Sequence, residues 1–154
     1  MFFVMATITI YITKESVWNE VCKVSEYAGA KMTGDDGAYR CITLTEADKA
    51  DLQLFWEESV AEANAKLKEL LTGSDLPTED FEAELEVSEC YNEELTPSVR
   101  AAISGYLVRS VLGRWYRLAN KEEADGCLGE AASKMEEALR MLYHRKRPRR
   151  PGRE

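Results

Sequence analysis

The feature that most constrains the fold is the segment "LTPSVRAAISGYLVRSVLGRWYRLANKEEADGCLGEAASKMEEALRMLYHR", two helical patterns with almost nothing between them. In the first, Val99, Ile103, Tyr106, Leu107, Ser110, Val111, Arg114, Trp115 and Leu118 recur at helical spacing. Thr96 is the expected N-cap, and Pro97 takes the first helical position, where its missing N–H costs nothing. In the second, acids come first and bases last, the order that complements the helix dipole. Its expected buried stripe is Ala124, Leu128, Ala131, Met135, Leu139 and Leu142, with Cys127 and Ala138 alongside. One or two residues around Asn120 cannot carry the chain to a distant site, so the helices must fold back as an antiparallel hairpin. Tyr106, Val108 and Tyr116 do not all fit the Ile103, Leu107, Trp115 stripe. The first helix is therefore apolar around most of its circumference, and is either central in a bundle or shared with another chain.

A hairpin of this length needs further helices to cover it. "LTEADKADLQLFWEESVAEANAKLKELLTG" supplies one: Thr45 and Asp48 resemble a capping box, Gly73 closes the end, and Leu52, Phe55, Trp56, Ser59, Ala63, Leu67, Leu70 and Leu71 trace one face. The pattern predicts about 25 residues, roughly 38 Å of helix. A shorter helix from Lys14 to Ala28 is capped by Thr13 and carries Val17, Val21 and Val24 on its stripe, with Trp18 and Cys22 beside them. Gly29, Gly34, Gly37 and the Asp35-Asp36 pair make the connection that follows it, and Tyr39 to Leu44 reads as extended.

Two stretches alternate with period two instead. Thr7 to Ile12 is β-branched at nearly every position, and "FEAELEV" sets Phe81, Ala83, Leu85 and Val87 against Glu82, Glu84 and Glu86. A helix over 81–87 would scatter its apolar residues all round, so both are predicted strands, which pair with each other or with a neighbouring subunit's strand. The fold class expected is mainly α, a bundle of about four helices, one short and three long, with two short β-strands. Residues 1–144 form the bundle with its β-arm and 145–154 a separate basic segment. The expected core is Val17, Trp18, Val21, Leu52, Phe55, Trp56, Leu67, Ile103, Leu107, Trp115, Leu128, Met135, Leu139 and Leu142. A content of 45% hydrophobic residues in 154 is enough for one compact domain.

Several classes of chemistry find no support. No apolar run approaches the roughly 20 residues needed to span a bilayer, and "MFFVMATITIYI" lacks the basic start and cleavage site of a signal peptide. Cys22, Cys41, Cys90 and Cys127 match no zinc or redox spacing; an even number allows two disulfides in a secreted protein, but long helices do not need them, and buried free thiols in a reducing compartment are expected. There is no phosphate-binding loop, dinucleotide fingerprint, nucleophile elbow or ExxH pattern. Asp35, Asp36, Asp48, Glu79 and Asp80 do not fall at the positions of a calcium loop. His144, the single histidine, sits where helix gives way to the basic segment. No catalytic residue, metal or cofactor is expected.

That last segment, "RKRPRRPGRE", carries six basic residues and one acidic one, a balance of +5. It leaves −13 on the remaining 144 residues of a chain whose formal net charge is −8. Pro148 and Pro151 forbid a regular helix and no apolar side chain follows Tyr143, so an extended, mobile segment is expected. Arg145, Lys146, Arg147, Arg149, Arg150 and Arg153 are the candidate contact residues. They suit an acidic protein surface, or a sequence-unspecific grip on nucleic-acid phosphates, since no aromatic is interleaved to stack on bases. A solubilising extension with no partner is the third reading.

The stretches "DKADLQLFWEESVAEANAKLKELL" and "VRAAISGYLVRSVLGRWYRLANKEEADGCLGEAASKMEEALRMLYHRKRP" make up about half the chain. With a β-arm between them and a charged terminal segment, they resemble the head-to-tail connector (adaptor) proteins of tailed bacteriophages. The likeness is architectural and transfers no functional residue. It implies a ring-forming virion component without catalysis, assembled in the bacterial host cytoplasm. Its strands would augment sheets in neighbouring subunits, and its tail would contact portal or tail proteins or packaged DNA. The competing class is a small nucleic-acid-binding or regulatory helical oligomer.

Overall fold

A computed structural model describes residues 5–31, 49–73, 80–118 and 121–144. Among these the chain forms β1 (Met5–Ile12), α1 (Lys14–Lys31), α2 (Lys49–Lys66), β2 (Leu71–Gly73), β3 (Phe81–Ser88), a 3-10 turn at Glu93–Leu95, α3 (Thr96–Tyr116) and α4 (Lys121–Leu142). The architecture is mainly α, four helices with a small sheet, as the periodicities require.

β1 and β3 pair antiparallel over their whole length, from Met5 opposite Ser88 to Ile12 opposite Phe81, without a break in register. Alternation decides which face is buried. Ile10, Ile12, Phe81, Ala83, Leu85 and Val87 point into the core, while Thr7, Thr9, Tyr11, Glu82, Glu84 and Glu86 point outward. Thr13 caps α1 as its type predicts, its hydroxyl accepting from the Ser16 N–H at 3.3 Å.

Twelve of the 21 residues of α3 are buried, which places it centrally: it packs against β1, α1, α2 and α4. Its hairpin with α4 is antiparallel, because successive contacts run in opposite directions along the two helices. Gly113 faces Ala124 and Leu128, Arg109 pairs with Glu130 at 3.0 Å, and Gly105 faces Lys134. On α4 the buried Ala124, Ala131 and Ala138 recur every seven residues. Leu128, Met135 and Leu142 recur with the same period four residues further on, and of these Leu128 is half-buried. Small residues let the helix axes approach: a Cβ at Gly113 would lie 2.7 Å from both Cγ and Cδ2 of Leu128.

Several expectations are corrected. The helix predicted over about 25 residues stops at Lys66. Leu70 N–H and Leu71 N–H bond to Leu67 O at 2.9 and 3.1 Å, and Glu86 N–H then reaches Leu70 O at 2.7 Å. The open edge of β3 thus takes the chain as a third strand, giving sheet order β1-β3-β2, and Gly73 ends that strand rather than a helix. The first helix is not short, at 18 residues the equal of α2. Thr96 is not a cap. It is the first residue of α3, Leu95 holds the cap position without a side-chain bond, and the Thr96 hydroxyl meets Tyr91 Oη at 3.0 Å. Trp18, Phe55, Leu128 and Leu139 are only half-buried. The other ten predicted core residues are buried, joined by Tyr91, Tyr106, Val108 and Tyr116, among others.

Candidate interaction surface

The six predicted contact residues, Arg145, Lys146, Arg147, Arg149, Arg150 and Arg153, lie outside the described residues, as do Cys41, the Thr45–Asp48 capping box, Tyr39–Leu44 and the acids Asp35, Asp36 and Glu79. Asp80 is described, and it organises a joint between elements. Its carboxylate accepts the Tyr11 hydroxyl and, at 2.9 Å, the Lys14 N–H. The tyrosine bond and the amide at the start of α1 hold the Asp80 carboxyl below its ordinary range. Lys14 Nζ donates in turn to Gln53 Oε1. The joint fixes the end of β1, the start of α1 and α2 together. It is structural, and sequence reasoning read this aspartate only as loop charge.

The sheet presents two unusual surfaces. β1 pairs only with β3, so its other edge is open among the described residues. Natural edge strands are usually blunted by a charge, a proline, a bulge or shortness. β2 has two of these, being three residues long with a shift in register. β1 has none: "MATITIYI" is eight residues long, uncharged and regularly paired.

The outer face of β3 is the second surface. Glu82, Glu84 and Glu86 project in one row, at about 6.7 Å intervals for a strand, opposite Tyr11, Thr9 and Thr7. None of the three carboxylates makes an ion pair or hydrogen bond among the described residues, and no cation stands opposite them, although opposite charges across strands stabilise a sheet.

Polar groups within the bundle have a different character. Ser59 of α2 and Ser110 of α3, both buried, share a hydrogen bond of 2.9 Å. One helical turn further along α3, Arg114 clamps Glu58 at 2.9 Å and Glu62 at 2.5 Å. The Tyr106 hydroxyl lies beside Glu62 and Ser110 without closing a bond to either, and burial first, then the Glu62 charge, drives its pKa upward. Burial and the neighbouring Cys127 push Tyr116 up to about 12, and burial likewise raises the Cys127 thiol. These groups are desolvated in the helix seams rather than convergent on a cleft. The Ser59–Ser110 bond and the Arg114 clamp join α2 to α3.

His144 is exposed at the end of α4, with its N–H bonded to Met141 O at 3.2 Å. Of the described cysteines only Cys127 is buried and Cys22 is half-buried; Cys90, expected inside, lies on the exposed turn after β3. Among the described residues no group of His, Cys, Asp and Glu is placed to hold a metal ion, and no helix is long and apolar enough to cross a membrane. Comparisons with known protein families, curated proteins and solved structures return no match.

Proposed function

We propose that this protein is a non-catalytic assembly subunit, a ring-forming head–tail connector (neck) component of a phage virion or prophage. It would assemble in the bacterial host cytoplasm and contact portal or tail proteins. The observation that carries the assembly reading is the edge of β1: eight uncharged, β-branched-rich residues with an unpaired side among the described residues. Such an edge invites a strand from another chain. The connector assignment within that class rests on the resemblance of the helical stretches and on the charged terminal segment.

Six cations in nine residues favour a second reading, a nucleic-acid-binding helical oligomer. Sedimentation of the purified chain, alone and mixed with the products of neighbouring genes, separates the two. The connector reading predicts a closed ring or a co-assembly that forms without nucleic acid. A monomer at every concentration, converted by double-stranded DNA to a larger species at 50 mM salt but not at about 200 mM, would replace it with the nucleic-acid reading.

A further inference from the structure

The row of carboxylates on β3 and the cations of residues 145–153 have matching dimensions. Glu82 to Glu86 covers about 13 Å of strand. Arg145 to Arg150 would cover about 16 Å if extended at about 3.1 Å per residue. Both rows are uninterrupted in sign, and the carboxylates have no other partner among the described residues. We propose that residues 145–153 of one copy dock across the outer face of β3 in a second copy, with Arg145, Lys146, Arg147, Arg149 and Arg150 over Glu82, Glu84 and Glu86. This inference rests on the assembly reading above and names the surfaces that the assembly would use.

The assembly reading places that face on a second copy rather than on the same one. The α4 helix packs on α3, and α3 packs on the sheet at β1. A contact from the tail of one copy to the face of the next joins two different patches, and a contact of that kind closes into a ring when the rotation permits.

The test is charge reversal on the full chain, read by sedimentation velocity at low and moderate salt. One variant carries E82K, E84K and E86K, and another carries R145E, K146E, R147E, R149E and R150E. All these positions are outward-facing or beyond α4, and far-UV circular dichroism checks that both variants fold. Each alone should lose assembly, with the tail's affinity for the face falling about tenfold or more as exposed ion pairs are lost. Mixing the two should restore it, because each tail then meets a complementary face only on the other variant. Assembly by the E82K/E84K/E86K variant alone, or failure of the mixture to assemble, overturns the proposal while leaving the assembly reading intact. A wild-type chain that stays monomeric overturns both. Zero-length carbodiimide coupling gives an independent readout, since Lys146 is the only lysine among residues 145–154. In isotope-mixed protein it should link Lys146 to Glu82, Glu84 or Glu86 between copies, and exclusively intramolecular links would overturn docking in trans.

Discussion

Replacing Gly113 with alanine should destabilise the protein, whereas the same change at Gly126 or Gly129 should stabilise it. All three glycines are interior to helices, where alanine is favoured over glycine by about 0.8 to 1 kcal/mol. They differ in what the added methyl would meet. At Gly113 it would stand 2.7 Å from Leu128 Cγ and Cδ2 and 3.4 Å from Ala124 O. Carbon atoms settle at about 3.5 to 4.0 Å, so roughly 1 Å of displacement is needed, and the Ala124 backbone blocks part of it. Overpacking of this order costs about 1 to 3 kcal/mol, which outweighs the propensity gain and leaves a net loss of about 1 kcal/mol. At Gly126 and Gly129 nothing lies within 4 Å and both positions are exposed, so the gain of about 0.4 to 1 kcal/mol at each is unopposed. Urea unfolding followed by far-UV circular dichroism should therefore separate G113A from G126A by about 1.5 to 2 kcal/mol with opposite signs. Equal stabilisation by both would mean that α3 and α4 are not in close approach at Gly113.

Ser59→Ala or Ser110→Ala alone should cost about 1 to 3 kcal/mol by stranding a buried hydroxyl, while the double variant should be nearly neutral; additive losses in a double-mutant cycle would refute the pairing. Leu107→Ala should cost about 2 to 5 kcal/mol because Leu107 is fully buried, and Leu139→Ala, at a half-buried site, should cost clearly less in the same unfolding assay. The Asp80 carboxyl is held below its ordinary value in the folded state, so its contribution to stability is present above that ordinary value and is lost as pH falls through the lower folded one. The stability difference between wild type and D80N should thus be constant near neutrality and shrink in that acid window; a difference that persists unchanged at lower pH would show that the joint does not depend on the carboxylate.

How much of this could be read beforehand follows from what each pattern encodes. The alternation of Phe81 to Val87 states a strand and its buried face at once, and Thr13 states a cap, so both are found where expected. Leu70 and Leu71 prolong a helical stripe just as well as they begin a strand. Only the open edge of β3, a long-range fact, decides between these, and so β2 was illegible. The helical period already set Ala124, Ala131 and Ala138 on the buried side of α4, but nothing in it marks Gly113 as the point of close approach to Leu128, since a residue that acts by lacking a side chain leaves no apolar signal. The row of Glu82, Glu84 and Glu86 was visible as a half-exposed acidic face, but its lack of cationic neighbours depends on the pairing with Thr7, Thr9 and Tyr11.

The open edge of β1 and the acidic face of β3 belong to one small sheet, and in the proposed assembly they would act in physically different ways. Edge pairing consists of backbone hydrogen bonds and side-chain contacts that act at touching distance and respond little to salt. Charges act over about 8 to 10 Å at 0.1 to 0.15 M ionic strength, and so govern encounter and orientation more than the strength of the formed contact. Copies of a chain with net charge −8 repel one another on approach, and the proposed docking of a cationic segment on an acidic face would provide an attractive route. Raising ionic strength through that range should therefore slow association of the intact chain, while the dissociation rate of the formed assembly changes little. For a chain ending at His144 the trend should reverse, because salt then only screens repulsion between bodies of like charge. Stopped-flow light scattering on both chains measures the two rates. Association of the intact chain that quickens with salt as the truncated chain's does would mean that residues 145–154 take no part in bringing subunits together.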